Sequence, residues 1–144
     1  MGYEQDFKYK DALKSLFDAA KTVSENVFTN DRPAAVPKQM DNFIVVSLPG
    51  LLSSMTYGSG FGNIRTYCTI EVYVRQKKGS AEDLEQMDTI VGDILSLFPI
   101  SDNFISASNP KLTLKGNDGL GFSATLIRTD LSLIHISEPT RLQL

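Results

Sequence analysis

The chain has 144 residues, 42% of them hydrophobic, a formal net charge of −3 and one cysteine. That length suits a single domain that buries its own core without covalent staples, and the lone Cys68 excludes a disulfide framework. The acidic balance argues against a nucleic-acid partner gripped through its phosphates, the longest apolar run is far short of the roughly 18 residues of a membrane span, and the charged start from Glu4 to Asp11 is unlike a signal peptide.

Glu4 to Glu25 predicts an amphipathic helix. Tyr9, Leu13, Leu16, Phe17, Ala20 and Val23 recur at spacings of three and four, and Lys8, Asp11, Lys14, Asp18 and Lys21 fill the opposite face. Val27 to Asn30 has the composition of a short strand. Arg32 to Pro37 holds two prolines and reads as a connector. Asn42 to Leu48 is rich in β-branched residues and is stopped by Pro49-Gly50, so it reads as a strand. Leu51 to Asn63 reads as a loop, because Gly58, Gly60 and Gly62 punctuate it.

Ile64 to Arg75 carries the clearest period of two. Ile64, Thr66, Cys68, Ile70, Val72 and Val74 form one face, and Arg65, Tyr67, Thr69, Glu71, Tyr73 and Arg75 form the other. After a turn at Lys77-Lys-Gly79, Ser80 opens a second helix with Asp83 three residues on, a variant of the capping box. Its apolar stripe is Leu84, Met87, Val91, Ile94, Leu95 and Phe98, and Pro99 ends it. Asn103 to Lys115 and Leu120 to Asp130 predict two strands joined at Gly116-Asn-Asp-Gly119. Pro110 inside the first marks an edge strand, a bulge or a break. The expected fold is therefore α+β. It has a mostly antiparallel sheet of about four to five strands and two helices packed on one face, in the order α-β-β-α-β-β.

Catalytic signals are weak. Cys68 falls on the core face of its strand and reads as a small buried hydrophobe. Glu82, Asp83, Glu85 and Asp88 suit the start of a helix better than a metal site. The spacing G-x-G-x-G at Gly58 to Gly62 is neither a dinucleotide nor a phosphate-loop fingerprint. The residues point to no enzyme, no cofactor and no metal. The suggestive features are two. One is the aromatic strand face of Arg65, Tyr67, Tyr73 and Arg75, and the other is the loop residues Met55, Tyr57 and Phe61. Tyr and Arg are enriched where proteins meet, so these seven form a candidate protein interface. Ordinary cross-strand packing and folding back onto the core are the alternatives.

Leu131-Ser-Leu-Ile-His-Ile-Ser-Glu-Pro-Thr-Arg141 resembles, codon by codon, the conceptual translation of a mosaic-end adapter from transposon-based sequencing libraries. This resemblance implies one domain over residues 1–130 and a non-native extension over residues 131–144. His135, the sole histidine, would then be foreign. The alternative is a real terminal strand with a tail, and the composition of Ser132 to Ile136 permits strand pairing.

Other segments resemble small neck and tail proteins of phages and prophages from gut bacteria. They are Arg32-Pro33, Pro37-Lys-Gln-Met40, Asp41 to Pro49, Tyr73-Val-Arg75, Leu97-Phe-Pro99, Ile100-Ser-Asp102 and Gly116-Asn-Asp-Gly119 with Gly121-Phe122. The element order is similar to that of the tail terminator and tail completion family. The resemblance implies a virion protein, assembled in the bacterial cytoplasm, that forms a ring, commonly hexameric. Its partners would be copies of itself and tail-tube or head-side connector proteins, with no membrane and no sequence-specific nucleic acid. Rival expectations are a head-closure or head–tail joining protein and a small monomeric protein-binding module of a bacterial host.

Overall fold

The structure, a computed structural model, describes residues 9–33, 36–48, 53–54, 61–78, 81–102 and 104–136. In chain order the elements are α1 (Tyr9–Lys21), β1 (Val27–Thr29), β2 (Asn42–Ser47), β3 (Ser53–Ser54), β4 (Phe61–Arg75), α2 (Leu84–Leu95), β5 (Ile100–Ser101), β6 (Ile105–Asn117) and β7 (Phe122–Ile136). The sheet runs β1-β2-β4-β7-β6-β5, and β3 pairs with β4 off that path. Its spine is the antiparallel pair β4 and β7, 15 residues each, in continuous register from Phe61 opposite Ile136 to Arg75 opposite Phe122.

The mostly antiparallel sheet of four to five strands is not what forms. The sheet is mixed and curled into a half-barrel, and β1 lies parallel to β2, with Val27 opposite Ile44 and Thr29 opposite Val46. Parallel neighbours need a long crossover, and Asn30 to Asp41 supplies one. The short strand expected at Val27 to Asn30 forms as β1, and the additional strands β3 and β5 have two residues each, too short to show a hydrophobic period. Curling is assisted along β6, where the register shifts between Ser108 and Lys111 and again between Leu114 and Gly116. Such bulges bend a strand and raise its local twist. The first contains Pro110 beside Asn109, whose φ is 56°; proline has no N–H to give to a ladder.

One face of the sheet carries the main core. Ala12, Leu16 and Ala20 of α1 and Met87, Ile90, Val91 and Ile94 of α2 pack there against Ile44, Val46, Cys68, Ile70, Val72, Ile127, Leu131 and Leu133. Helix α1 buries positions four apart and leaves Lys10, Lys14, Asp18 and Lys21 exposed. Helix α2 begins later than Ser80, which lies outside the described residues. Asp83 is its N-cap: the carboxylate accepts from the Gln86 backbone N–H at 3.1 Å and from the Gln86 Nε2 at 3.0 Å. An aspartate at this position satisfies donors that the first helical turn leaves free. The helix stops at Leu95, before Phe98 and Pro99.

The opposite face holds a second, smaller core of Phe43, Val45, Tyr73, Phe122 and Ala124, with Phe28, Val36 and Met40 packed against it. The crossover from β1 to β2 therefore covers the face expected to be open. All four residues Phe43 to Val46 are buried as a result. Strand β7 continues past Asp130: Leu131 pairs with Thr66 and Ala107, Leu133 with Ile64 and Ile105, and both leucine side chains are buried.

Candidate functional site

Of the seven residues expected to form an interface, the four whose side chains are described, Arg65, Tyr67, Tyr73 and Arg75, are not all exposed. Met55 and Tyr57 lie outside the described residues. Phe61 opens β4, paired by its backbone to Ile136. Arg65 is exposed. Tyr67 is half-buried, with the Arg128 guanidinium 3.7 Å from its ring centroid. Tyr73, six positions along the same face, is only 8% exposed. Its ring stacks on Phe43 at 4.6 Å with the planes 10° apart. Burial raises its phenol pKa, with the Glu71 charge adding to the rise and Arg32 opposing it. Tyr73 is thus a core residue of the second cluster. Arg75 is half-buried and holds the crossover in place, donating from Nη2 to the carbonyls of Pro37 and Met40, each at 3.0 Å.

The residue that organises this cluster is Arg32. Its guanidinium lies 5.4, 5.0 and 5.8 Å from the ring centroids of Phe43, Tyr73 and Phe122, and its Nη1 donates to Asp118. A cation over ring faces is attracted by their quadrupoles. Asp118 sits in the β6–β7 turn and also accepts from the backbone N–H groups of Leu120 at 2.7 Å and Phe122 at 3.1 Å. Burial alone would raise its carboxyl pKa. The bonds from Arg32, Leu120 and Phe122 outweigh that and hold it below the usual carboxylate range. The turn needs this help: Gly119 and Gly121 adopt φ of 79° and 94°, a region that favours glycine. A recess of about 220 Å³ opens beside the cluster, lined by Arg32, Val36, Arg75, Leu120 and Phe122.

A second feature lies at the β6 edge. Strand β5 covers β6 only at Ser106 and Ala107. Beyond the bulge, Lys111 to Lys115 are all exposed, with Leu112 and Leu114 at 47% and 79%. Leu84 of α2, 61% exposed, lies across a recess of about 350 Å³ from Leu114. Neither Arg32 nor these leucines belong to the candidate interface read from sequence, and Leu84, expected in the apolar stripe of the second helix, is exposed. The alternation of Lys111-Leu-Thr-Leu-Lys115 was the available signal, and it read as an ordinary hairpin arm.

Cys68 is fully buried and its thiol is pushed up to about 12 by that burial, which suppresses the nucleophilic thiolate. Among the described residues no group of three or more His, Cys, Asp or Glu is placed to hold a metal ion. No helix among them is long and apolar enough to cross a membrane.

No family model matches the chain, and no curated protein matches it. Solved structures do match, 27 chains in all, so the architecture recurs. One of them, a protein carrying only a serial designation, superposes with a TM-score of 0.54 over 88% of this chain and 96% of that one, at 14% identity. At that identity the likeness concerns the fold alone.

Proposed function

We propose that this chain is a non-enzymatic structural protein of a phage particle, which terminates or joins the tail through ring-like self-association. The observation that carries the reading is the β6 edge, which beyond Ala107 has no second partner strand among the described residues. An uncovered strand edge presents unpaired backbone donors and acceptors, a template for another strand, and here Leu112 and Leu114 project beside it. The far edge of the sheet is β1, flanked by exposed Glu25 and Asp31, whereas exposed Lys111 and Lys115 flank the open part of β6. Two unlike edges favour head-to-tail contact, which closes into a ring when the rotation per copy permits. The resemblance of Asp41 to Pro49, Leu97-Phe-Pro99 and the Gly116 to Gly119 turn to tail terminator and completion proteins supplies the phage setting. Copies of this chain, the tail tube and the head-side connector are the partners.

Sedimentation across a broad concentration range tests the reading. A closed oligomer is expected, and Leu114→Lys is expected to dissociate it while leaving the circular dichroism spectrum intact. A strict monomer at high concentration that also fails to bind purified tail tubes would overturn it.

A further inference from the structure

The recess beside the second core contains a guanidinium that forms no ion pair among the described residues. Arg32 and Arg75 both stand over the Phe122 ring, at 5.8 and 4.7 Å from its centroid. Asp118 is committed to Arg32 and to the Leu120 and Phe122 backbone, and although Glu71 acts on Tyr73 and the Asp41 carbonyl accepts from the Arg75 backbone N–H, no carboxylate among the described residues forms an ion pair with Arg75. Arg75 donates from Nε and Nη2 only to neutral carbonyls of Met40 and Pro37. Its Nη1 makes no bond among the described residues. The recess is therefore left with a guanidinium edge carrying a full positive charge, one aromatic wall from Phe122, and aliphatic walls from Val36 and Leu120. Leu120 is 68% exposed.

We propose that this recess binds a carboxylate borne on a short aliphatic group, with Arg75 as its electrostatic anchor. The free Nη1 edge offers charge-assisted hydrogen bonds to a carboxylate oxygen. The Phe122 ring, 4.7 Å from the guanidinium carbon, and the two carbonyl bonds restrain the side chain that carries those donors. The aliphatic part of the ligand lies against Val36 and Leu120, removing the leucine from water. A doubly charged phosphate or sulfate fits less well, because a single unpaired cation faces it and the Asp118 carboxylate stands nearby. The ligand chemistry has two sources, a free small carboxylic acid or an acidic side chain on a partner chain. The site is independent of the self-association reading, since it lies at the crossover and the turn, not along the β6 edge.

The test is a titration of the whole chain followed by backbone amide shifts at Leu120, Gly121, Phe122 and Ala124. The probes are 4-methylpentanoate, its neutral amide, sodium sulfate and an acetylated Leu-Glu-Leu amide peptide. Saturable shifts with 4-methylpentanoate are expected, with a Kd on the order of 1 mM. The amide should leave these shifts unmoved, and Arg75→Gln should weaken binding by about tenfold or more, equivalent to about 1.4 kcal/mol. Binding of the peptide as well assigns the site to a partner's acidic residue; binding of the free acid alone assigns it to a small acid. Equal response to acid and amide, a sulfate response matching that of the acid, or no saturable shift would overturn the proposal. If Arg75→Gln fails to fold, Leu120→Glu serves instead: it changes an exposed turn residue, supplies a carboxylate in place and should abolish the response to 4-methylpentanoate. An undiminished response in that variant would also overturn the proposal.

Discussion

Replacing Arg32 with Met and Asp118 with Asn, singly and together, will show how much of the second core depends on one half-buried ion pair. The side chains are 25% and 12% exposed, between the surface pairs worth about 0–1 kcal/mol and the buried pairs whose breakage costs about 3–5 kcal/mol. Asp118→Asn keeps an oxygen for the Leu120 and Phe122 N–H groups and removes only the charge, so a loss of about 2 kcal/mol is expected. Arg32→Met strands the Asp118 carboxylate and forfeits the attraction to three rings, for a loss of about 2–3 kcal/mol. The coupling should be on the order of 1–2 kcal/mol. Urea unfolding followed by far-UV circular dichroism and by tyrosine emission measures it, since the chain has five Tyr and no Trp. The acid limb is a second readout. The folded pKa of Asp118 is depressed, so its contribution is complete above the unfolded carboxyl value, about 4, and is lost as pH falls through the folded value. Asp118→Asn should therefore flatten the loss of stability below about pH 4. Coupling under about 0.3 kcal/mol, or an acid limb unchanged in Asp118→Asn, would refute the account.

Two further outcomes follow from burial. Cys68 should resist a disulfide-exchange reagent such as Ellman's at pH 8 in the folded protein and react at once in urea; fast reaction without denaturant would contradict its buried position. Leu131→Ala and Leu133→Ala, at 1% and 4% exposure, should each cost about 2–5 kcal/mol, and a chain ending at Asp130 should melt well below the full one. Unchanged midpoints would show that the strand beyond Asp130 adds nothing to this fold.

The long elements were legible because their periods are uninterrupted. Ile64 to Val74 announces a half-buried strand, and Pro110 announces the bulge at Asn109. The parallel strand β1 was seen as a segment but its direction was not, because three residues cannot say which neighbour they join. Tyr73 and Arg75 misled for a physical reason. Polar and aromatic residues alternating with apolar ones imitate an open face, yet here two guanidiniums within 6 Å of the rings, together with Phe28, Val36 and Met40, cover it. A corrective signal was present in β2. Phe43 to Val46 has no polar alternate, and a run of that kind belongs to a strand covered on both sides.

The pairing of β4 with β7 also has a consequence in time. A chain emerging from the ribosome delivers β2 and β4 long before Phe122 begins the strand that shields the other flank of β4. Until then Cys68 to Val74 has one flank of its backbone ladder unpaired and lacks the apolar neighbours that β7 brings. Non-local pairing of this kind slows folding and leaves sticky intermediates. The nascent chain is thus most vulnerable to chaperone capture or clumping in the interval between synthesis of α2 and completion of the final hairpin.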